Sequence, residues 1–410
     1  MNRGKLIGSI MLLIGTTLGA GMLQFQIVSA PAGFLLSIIL MTIVGTISVM
    51  TGLMIVEVNL AMPLNTSSFS SMAEKTLGQA WKIIIWLVYL LLLYSVDWAY
   101  ISGGSSLINN VVTNCLKIHL PRWTGSVVFT LFLGSAIFLG TKTVDYFNRG
   151  FMSIKIIMLL LVFILIMPHV EINKLFVAQN SNQASYLWTA TPIFVMAFFN
   201  QTVIPSLRLY IGDDAKSLKQ IIICSALFCG LIYLLWLTVT LGVLPVLGDN
   251  SFTSLAQNNG SVGEFMQIME HTVHSKWAIN SINWFSSIAL TTAFLGVTLS
   301  LFDFLADGLR IPNTNIGRLK TSLIALLPPL ILAIFYPKGF ALALNYASIF
   351  ITLFTVMLPP TMVYYLRKNP KLKSPYRVFG GNALLAIIFL FGILCLVLPI
   401  LANLKLLPHI

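Results

Sequence analysis

The chain has 410 residues, 57% of them hydrophobic and 9% charged, with a formal net charge of +12. A soluble domain cannot present that composition to water, so lipid is the solvent for most of it. The positive charge is compatible with nucleic-acid affinity or with membrane orientation, and the placement of the basic residues decides for the membrane, with no nucleic-acid partner.

Uncharged stretches long enough to cross a hydrocarbon core, at roughly 20 residues per helix, follow one another along the sequence. Residues 6–56 exceed one span and hold two, hinged at Pro31-Ala32-Gly33. Residues 66–77 place Phe69, Met72, Ala73 and Leu77 on one face of a predicted interfacial helix with Gly78 as its stop. Spans follow at 83–96 with a continuation to 116, 123–141, 156–168, 175–207 and 220–248. Residues 249–275 carry Val262, Phe265, Met266, Met269 and Val273 at helical spacing, which predicts an amphipathic helix on the outer surface. The last spans are 277–302, 321–337, 339–366 and 378–404.

With about eleven spans and a cytoplasmic N-terminus, eighteen basic residues lie inside and six outside. This bias predicts a multi-pass membrane protein whose N-terminus is cytoplasmic and whose C-terminus is external. The first apolar stretch runs on into a second span and does not read as a cleavable leader. Cys115, Cys224, Cys229 and Cys395 lack CxxC spacing, so neither a disulfide framework nor a metal site is expected, and no cofactor is. Metalloprotease spacing, a P-loop and a nucleophile elbow are missing, which argues against an enzyme.

Two spans are interrupted at mid-depth. The first carries Gly15, Thr16, Thr17, Leu18, Gly19, Ala20 and Gly21, and the sixth carries Asn200, Gln201 and Thr202 before Pro205. A zwitterion inside lipid needs donors for its carboxylate and acceptors for its amine, and a broken helix supplies both. Glycines at such spacing also simply pack helices closely, and Pro205 also reads as a simple kink. The matching interruption five spans later favours a midplane binding site. Phe198 and Phe199 are candidate walls for an aromatic side chain, and Tyr94, Ser287, Thr291 and Phe294 are candidate determinants of pocket volume.

The segments GTTLGAGML from Gly15, AYISG from Ala99, VDYFNR from Val144, TAFLGVTLSLFDFLAD from Thr292, LPPLILAIFYPKGF from Leu327 and YRVFGG from Tyr376 occur in order along the chain. With them the sequence resembles the hydroxy and aromatic amino acid permeases, most of all bacterial tyrosine-specific permeases. The resemblance implies an all-α, five-plus-five inverted-repeat fold with broken first and sixth helices. Residues 1–168 form one repeat, 186–366 the other, and 382–404 an eleventh helix. It implies proton-coupled uptake of an aromatic amino acid across a bacterial cytoplasmic (inner) membrane, with tyrosine expected and tryptophan, phenylalanine, serine or threonine as alternatives. It also implies that Lys155 on the fifth span couples protons, although its sequence position near the start of that span reads as a lysine snorkelling to the interface. The histidine usual before the sixth-span proline is replaced by Asn200-Gln201-Thr202, and Gln24-Phe25-Gln26 stands where a Met-Pro pair is familiar.

Other charged residues near spans complete the reading. Asp97, between Tyr94 and Tyr100, is a candidate for the proton path. Glu57 and Asn59 read as an interfacial pair, and Asp303 and Asp307 share a face that Arg310 could neutralise.

Overall fold

The computed structural model describes residues 3–19, 21–63, 68–117, 121–139, 141–176, 183–248, 251–257, 262–273, 275–312, 314–337, 339–404 and 406–407. Every regular element among them is helical. The chain opens with α1 (Arg3–Thr17) and α2 (Gly21–Ser29), which bend by 44° at their junction, and continues with α3 (Phe34–Leu60), the short α4 (Phe69–Leu77) and the long α5 (Gln79–Leu116). Next come α6 (Arg122–Leu139), α7 (Thr141–Ile166), the five-residue α8 (Ile172–Phe176), α9 (Gln183–Ala197) and α10 (Ile204–Ile211). The second half holds α11 (Ala215–Val243), the short α12 (Phe252–Gln257) and α13 (Val262–Thr272), α14 (Lys276–Gly308) and α15 (Asn315–Phe335). A π-helical stretch, Thr352–Met357, joins α16 (Phe340–Ile351) to α17 (Leu358–Lys368), and α18 (Gly381–Asn403) ends the bundle. Among the described residues nine helices are long and apolar enough to cross a bilayer, the bent α1–α2 pair makes a tenth crossing, and α6 contributes a shorter apolar stretch. The chain is a polytopic helical membrane protein.

The helices pack through a set of long pairwise contacts. Contacts join α7 to α14, α5 to α16, α5 to α6, α14 to α15, α1 to α11 and α3 to α9, and also α3 to α11, α6 to α15 and α5 to α14. The core between them is rich in aromatic side chains, with Trp236, Tyr233, Phe194, Phe285 and Phe294 all fully buried.

Several expectations take a more definite form. The interfacial helix at 69–77 starts from Ser68, whose hydroxyl accepts the Ser71 N–H, and stops at Gly78, which at φ 103° holds a conformation that a side chain would strain. The outer amphipathic segment is two short helices rather than one, with Phe265, Met269 and Val273 buried. Phe265 packs on both Phe252 and Trp236, with centroids 6.5 Å apart in each pair. The side chains of Val262 and Met266 lie outside the described residues.

The fifth span begins much earlier than its apolar run. The polar TKTVDYFNR segment is helical, so α7 starts at Thr141 and Lys155 sits in the helix interior. Glu57 is not interfacial: it is 1% exposed and makes a bidentate pair with Arg367, 2.7 and 2.8 Å, while accepting the Val378 N–H. Arg208, on α10, is equally buried and donates to the carbonyls of Asn59 and Met62 and to Asp213, clamping α10 to the end of α3. No ion pair joins Arg310 to Asp303 or Asp307 among the described residues; the three line an open cleft with Arg318, whose guanidinium donates to the carbonyls of Ile137 and Phe138. All these contacts lie at the face of the bundle on which α1 begins, where Lys5 sits over the Tyr210 ring.

Candidate functional site

Both breaks follow from local backbone accounting. The α1 ladder ends at Thr17, and the Gly19 N–H turns back to the Thr17 carbonyl before α2 resumes at Gly21. In the other break α9 ends at Ala197, residues 201–203 form one 3₁₀ turn, and Pro205 lies in the first turn of α10, where its missing N–H costs nothing. Each break therefore offers the carbonyl end of one half-helix and the N–H end of the next.

A single hydroxyl ties the two carbonyl ends together. Tyr233 of α11, 1% exposed, has its phenol oxygen 2.8 Å from the Thr17 carbonyl and 2.6 Å from the Ala197 carbonyl, so one proton serves two acceptors. The replaced residues of the sixth span add further ties. Asn200 Nδ2 donates to Thr17 Oγ1 at 3.2 Å, and Gln201 Nε2 donates to Ser48 Oγ and Thr51 Oγ1 on α3. Ser48 in turn donates to the Phe198 carbonyl. These side chains hold the breaks in register across three helices. Tyr233→Phe is expected to leave both carbonyl ends without their hydroxyl and to cost about 1–3 kcal/mol; a lowered thermal midpoint in detergent checks it.

Between the breaks and the face where α1 begins runs a cavity of about 570 Å³. Gly15, Thr16, Thr17, Gly19, Gly21, Phe199 and Thr202 all line it, as does Lys155. Ala20 lies outside the described residues. The glycines divide between the two roles open to them. A side chain at Gly15 would meet the Met152 methyl, and one at Gly21 would meet the Ala197 backbone at 3.1 Å, so both permit close packing; at Gly19 the nearest atom is the Tyr100 hydroxyl at 3.7 Å.

Lys155 is 3% exposed and donates from Nζ to the Leu18 carbonyl at 3.1 Å, inside the break of the first span. It is not snorkelling to an interface. The Cys229 thiol neighbours both Thr17 and Lys155, and no carboxylate lies within ion-pair distance of Lys155 among the described residues.

Other candidates are not brought to the cavity. Tyr94 faces α15 and donates to the Ile324 carbonyl; Phe198 packs edge-on against Tyr233; Phe294 packs on Phe129. Thr291 is one residue out of phase with Thr292, which does line the cavity. Asn200 and Gln201 spend their amides on the breaks rather than on the open space. Asp97 is fully buried behind the cavity wall, where Thr298 donates to Oδ1 at 2.9 Å and Oδ2 has no partner among the described residues. The lining that the sequence reading passed over is Tyr89, Val96 and Tyr100 on α5, Met152 on α7 and Thr292, Gly296 and Ser300 on α14. Their spacings of seven, four, four and four residues are the available signal, since each set marks one helix face.

At the opposite end, side chains of α2, α11, α13 and α14 pack together. Trp236 Nε1 donates to Gln26 Oε1 at 3.1 Å, and Phe265 and Phe285 pack on the same indole. Gln26, one of the polar replacements on the first span, thus joins this cluster.

Comparison with known proteins agrees with this architecture. The model of the tryptophan/tyrosine permease family matches residues 2–399. The chain is 32% identical over 413 residues to a tryptophan-specific transport protein of Haemophilus influenzae, covering 98% of this chain and 96% of that protein. It is also 32% identical over 411 residues to tyrosine-specific transport system 1 of the same species, covering 99% of both. A low affinity tryptophan permease of Escherichia coli (strain K12) is 30% identical over 94% of this chain and 92% of its own length. With two broken spans, a buried polar tie between them and family-wide similarity over nearly its whole length, the chain belongs to the tryptophan/tyrosine permease family and is a transport protein rather than an enzyme.

Proposed function

We propose that the protein is a proton-coupled importer of an aromatic amino acid, tyrosine in the first place, working by alternating access. The observation that carries this reading is the pair of breaks tied by Tyr233 at the head of a 570 Å³ cavity, a volume inside the roughly 300–1,000 Å³ usual for small-molecule sites. The relatives named for tyrosine and for tryptophan are equally similar, so tryptophan is the second reading.

In this reading residues 1–168 and 186–366 are two inverted five-helix repeats and residues 382–404 an added eleventh span. Contacts that this relation maps onto one another, such as α7–α14 and α5–α16, support it. The face on which α1 begins is cytoplasmic, the C-terminus is external, and the conformation is open inward: the cavity runs to that face while Gln26, Trp236 and Phe265 close the other.

The substrate carboxylate meets the N–H ends of α2 and of the 3₁₀ turn at 201–203, and its amine meets carbonyls freed at the breaks. Lys155 carries the coupling proton. As an ammonium it holds the Leu18 carbonyl; as an amine it no longer attracts that carbonyl as a charge, which loosens α1 against α7. Uptake of labelled tyrosine into proteoliposomes with an imposed inward proton gradient tests the whole reading. Gradient-dependent uptake competed by tryptophan and phenylalanine but not by serine or leucine is the expected result, and absence of uptake by folded protein defeats it.

Gly19→Val should lower substrate binding at least tenfold, because its methyls project toward Tyr100 in the space where backbone and substrate approach. Equilibrium binding of labelled tyrosine checks it; unchanged affinity would make Gly19 a packing glycine like its neighbours.

A further inference from the structure

Two of the glycines that line the cavity leave room for a side chain, Gly8, which is exposed near the start of α1, and Gly296, which is half-buried deep in the bundle. Side chains added at Gly15, Gly19 or Gly21 would each meet an atom within 4 Å, but a Cβ at Gly296 would meet nothing. Its backbone is ordinary α-helix in the interior of α14. Neither close packing nor an unusual turn calls for glycine there, and glycine weakens a helix interior relative to alanine. Gly296 faces open cavity, and that space is kept for something other than protein.

Its height in the bundle identifies the occupant's position. Thr298 is hydrogen-bonded to Asp97, and α14 runs opposite to α5, so Gly296 lies level with residues 99–100. Tyr100 is the side chain whose hydroxyl approaches Gly19 at the first break. A substrate whose backbone sits in the breaks must therefore send its side chain between Tyr100 and Gly296. The walls there are Val96, Val297, Met196 and Phe199, which suit a flat apolar ring. Of the hydroxyls on α14, Thr292 is engaged with the Ala289 carbonyl and Ser300 with that of Gly296.

Resting on the aromatic-substrate reading, we propose that Gly296 sets the size of the side-chain ring the transporter admits, and that its absent side chain is what makes room for a two-ring indole. One-ring substrates need less of that space. Filling it should cost tryptophan more than tyrosine or phenylalanine, at the scale of 10- to 200-fold that one methylene commands in an apolar pocket.

The test uses full-length Gly296→Ala and Gly296→Val protein in proteoliposomes, with uptake of labelled tryptophan and tyrosine measured side by side. In Gly296→Val the tryptophan-to-tyrosine ratio should fall at least about tenfold, with a smaller fall in the same direction for Gly296→Ala. Thermal midpoints at or above wild type in both variants are expected, since the added atoms meet no neighbour. An unaltered ratio in both variants, or a midpoint lowered in both, would overturn the assignment of Gly296. Wild-type vesicles that import no aromatic amino acid would instead overturn the functional reading, and this inference with it.

Discussion

Vesicles carrying Lys155→Met should equilibrate an aromatic amino acid but fail to concentrate it. A gradient of about two pH units stores about 2.7 kcal/mol per proton, enough for up to roughly 100-fold accumulation at one proton per substrate. The variant should reach no accumulation while still exchanging labelled for unlabelled substrate, because methionine fills the buried slot against Leu18 without carrying a proton. Transport that is intact but uncoupled would separate a coupling role from a structural one. Wild-type accumulation in Lys155→Met would move the proton site elsewhere, and Asp97 would be the next group to replace. Its burial and, among the described residues, its single side-chain hydrogen bond make it another isolated titratable group in the bundle interior, although it faces Thr298 rather than the cavity.

The largest expected loss of stability is at Glu57. Its carboxylate takes both arms of Arg367 and the Val378 N–H, joining α3, α17 and the loop that follows α17. Arg367 Nη1 already has no partner among the described residues, and the arginine side chain is 11% exposed. Glu57→Ala therefore strands a buried guanidinium on the Val378 carbonyl alone and should cost about 3–5 kcal/mol. Replacing both partners, as Glu57→Leu with Arg367→Met, should recover most of that loss, because the desolvation of two charges disappears with them. Thermal unfolding in detergent checks both. A Glu57→Ala midpoint equal to wild type would mean that water reaches the pair.

Much of the fold was legible because lipid imposes it. Apolar length marks spans, and Gly15–Gly21 and Pro205 mark the breaks through backbone chemistry that holds whatever surrounds them. The depth of Lys155 was misread because TKTVDYFNR looks like a polar loop, whereas it is the first part of α7. Which face of a span looks inward was also hidden. Helices such as α5 and α14 are apolar nearly all round, since lipid and protein interior accept the same side chains, so Tyr94 and Thr291 stood on equal terms with Tyr100 and Thr292. The pairing of Glu57 with Arg367 joins residues 310 positions apart, and no local pattern records such a contact.

The two half-helices on the open side differ as mechanical parts. Arg208 rivets α10 to the end of α3, whereas α1 carries no ion pair among the described residues. Its 15 residues form a lever of about 22 Å with Leu18, and so the Lys155 contact, at the fulcrum. A tilt of about 15° would sweep the far tip by about 6 Å. On the alternating-access reading, a small event at the pivot would be amplified at the mouth, with α1 the leaf that swings and α10 the one held fast.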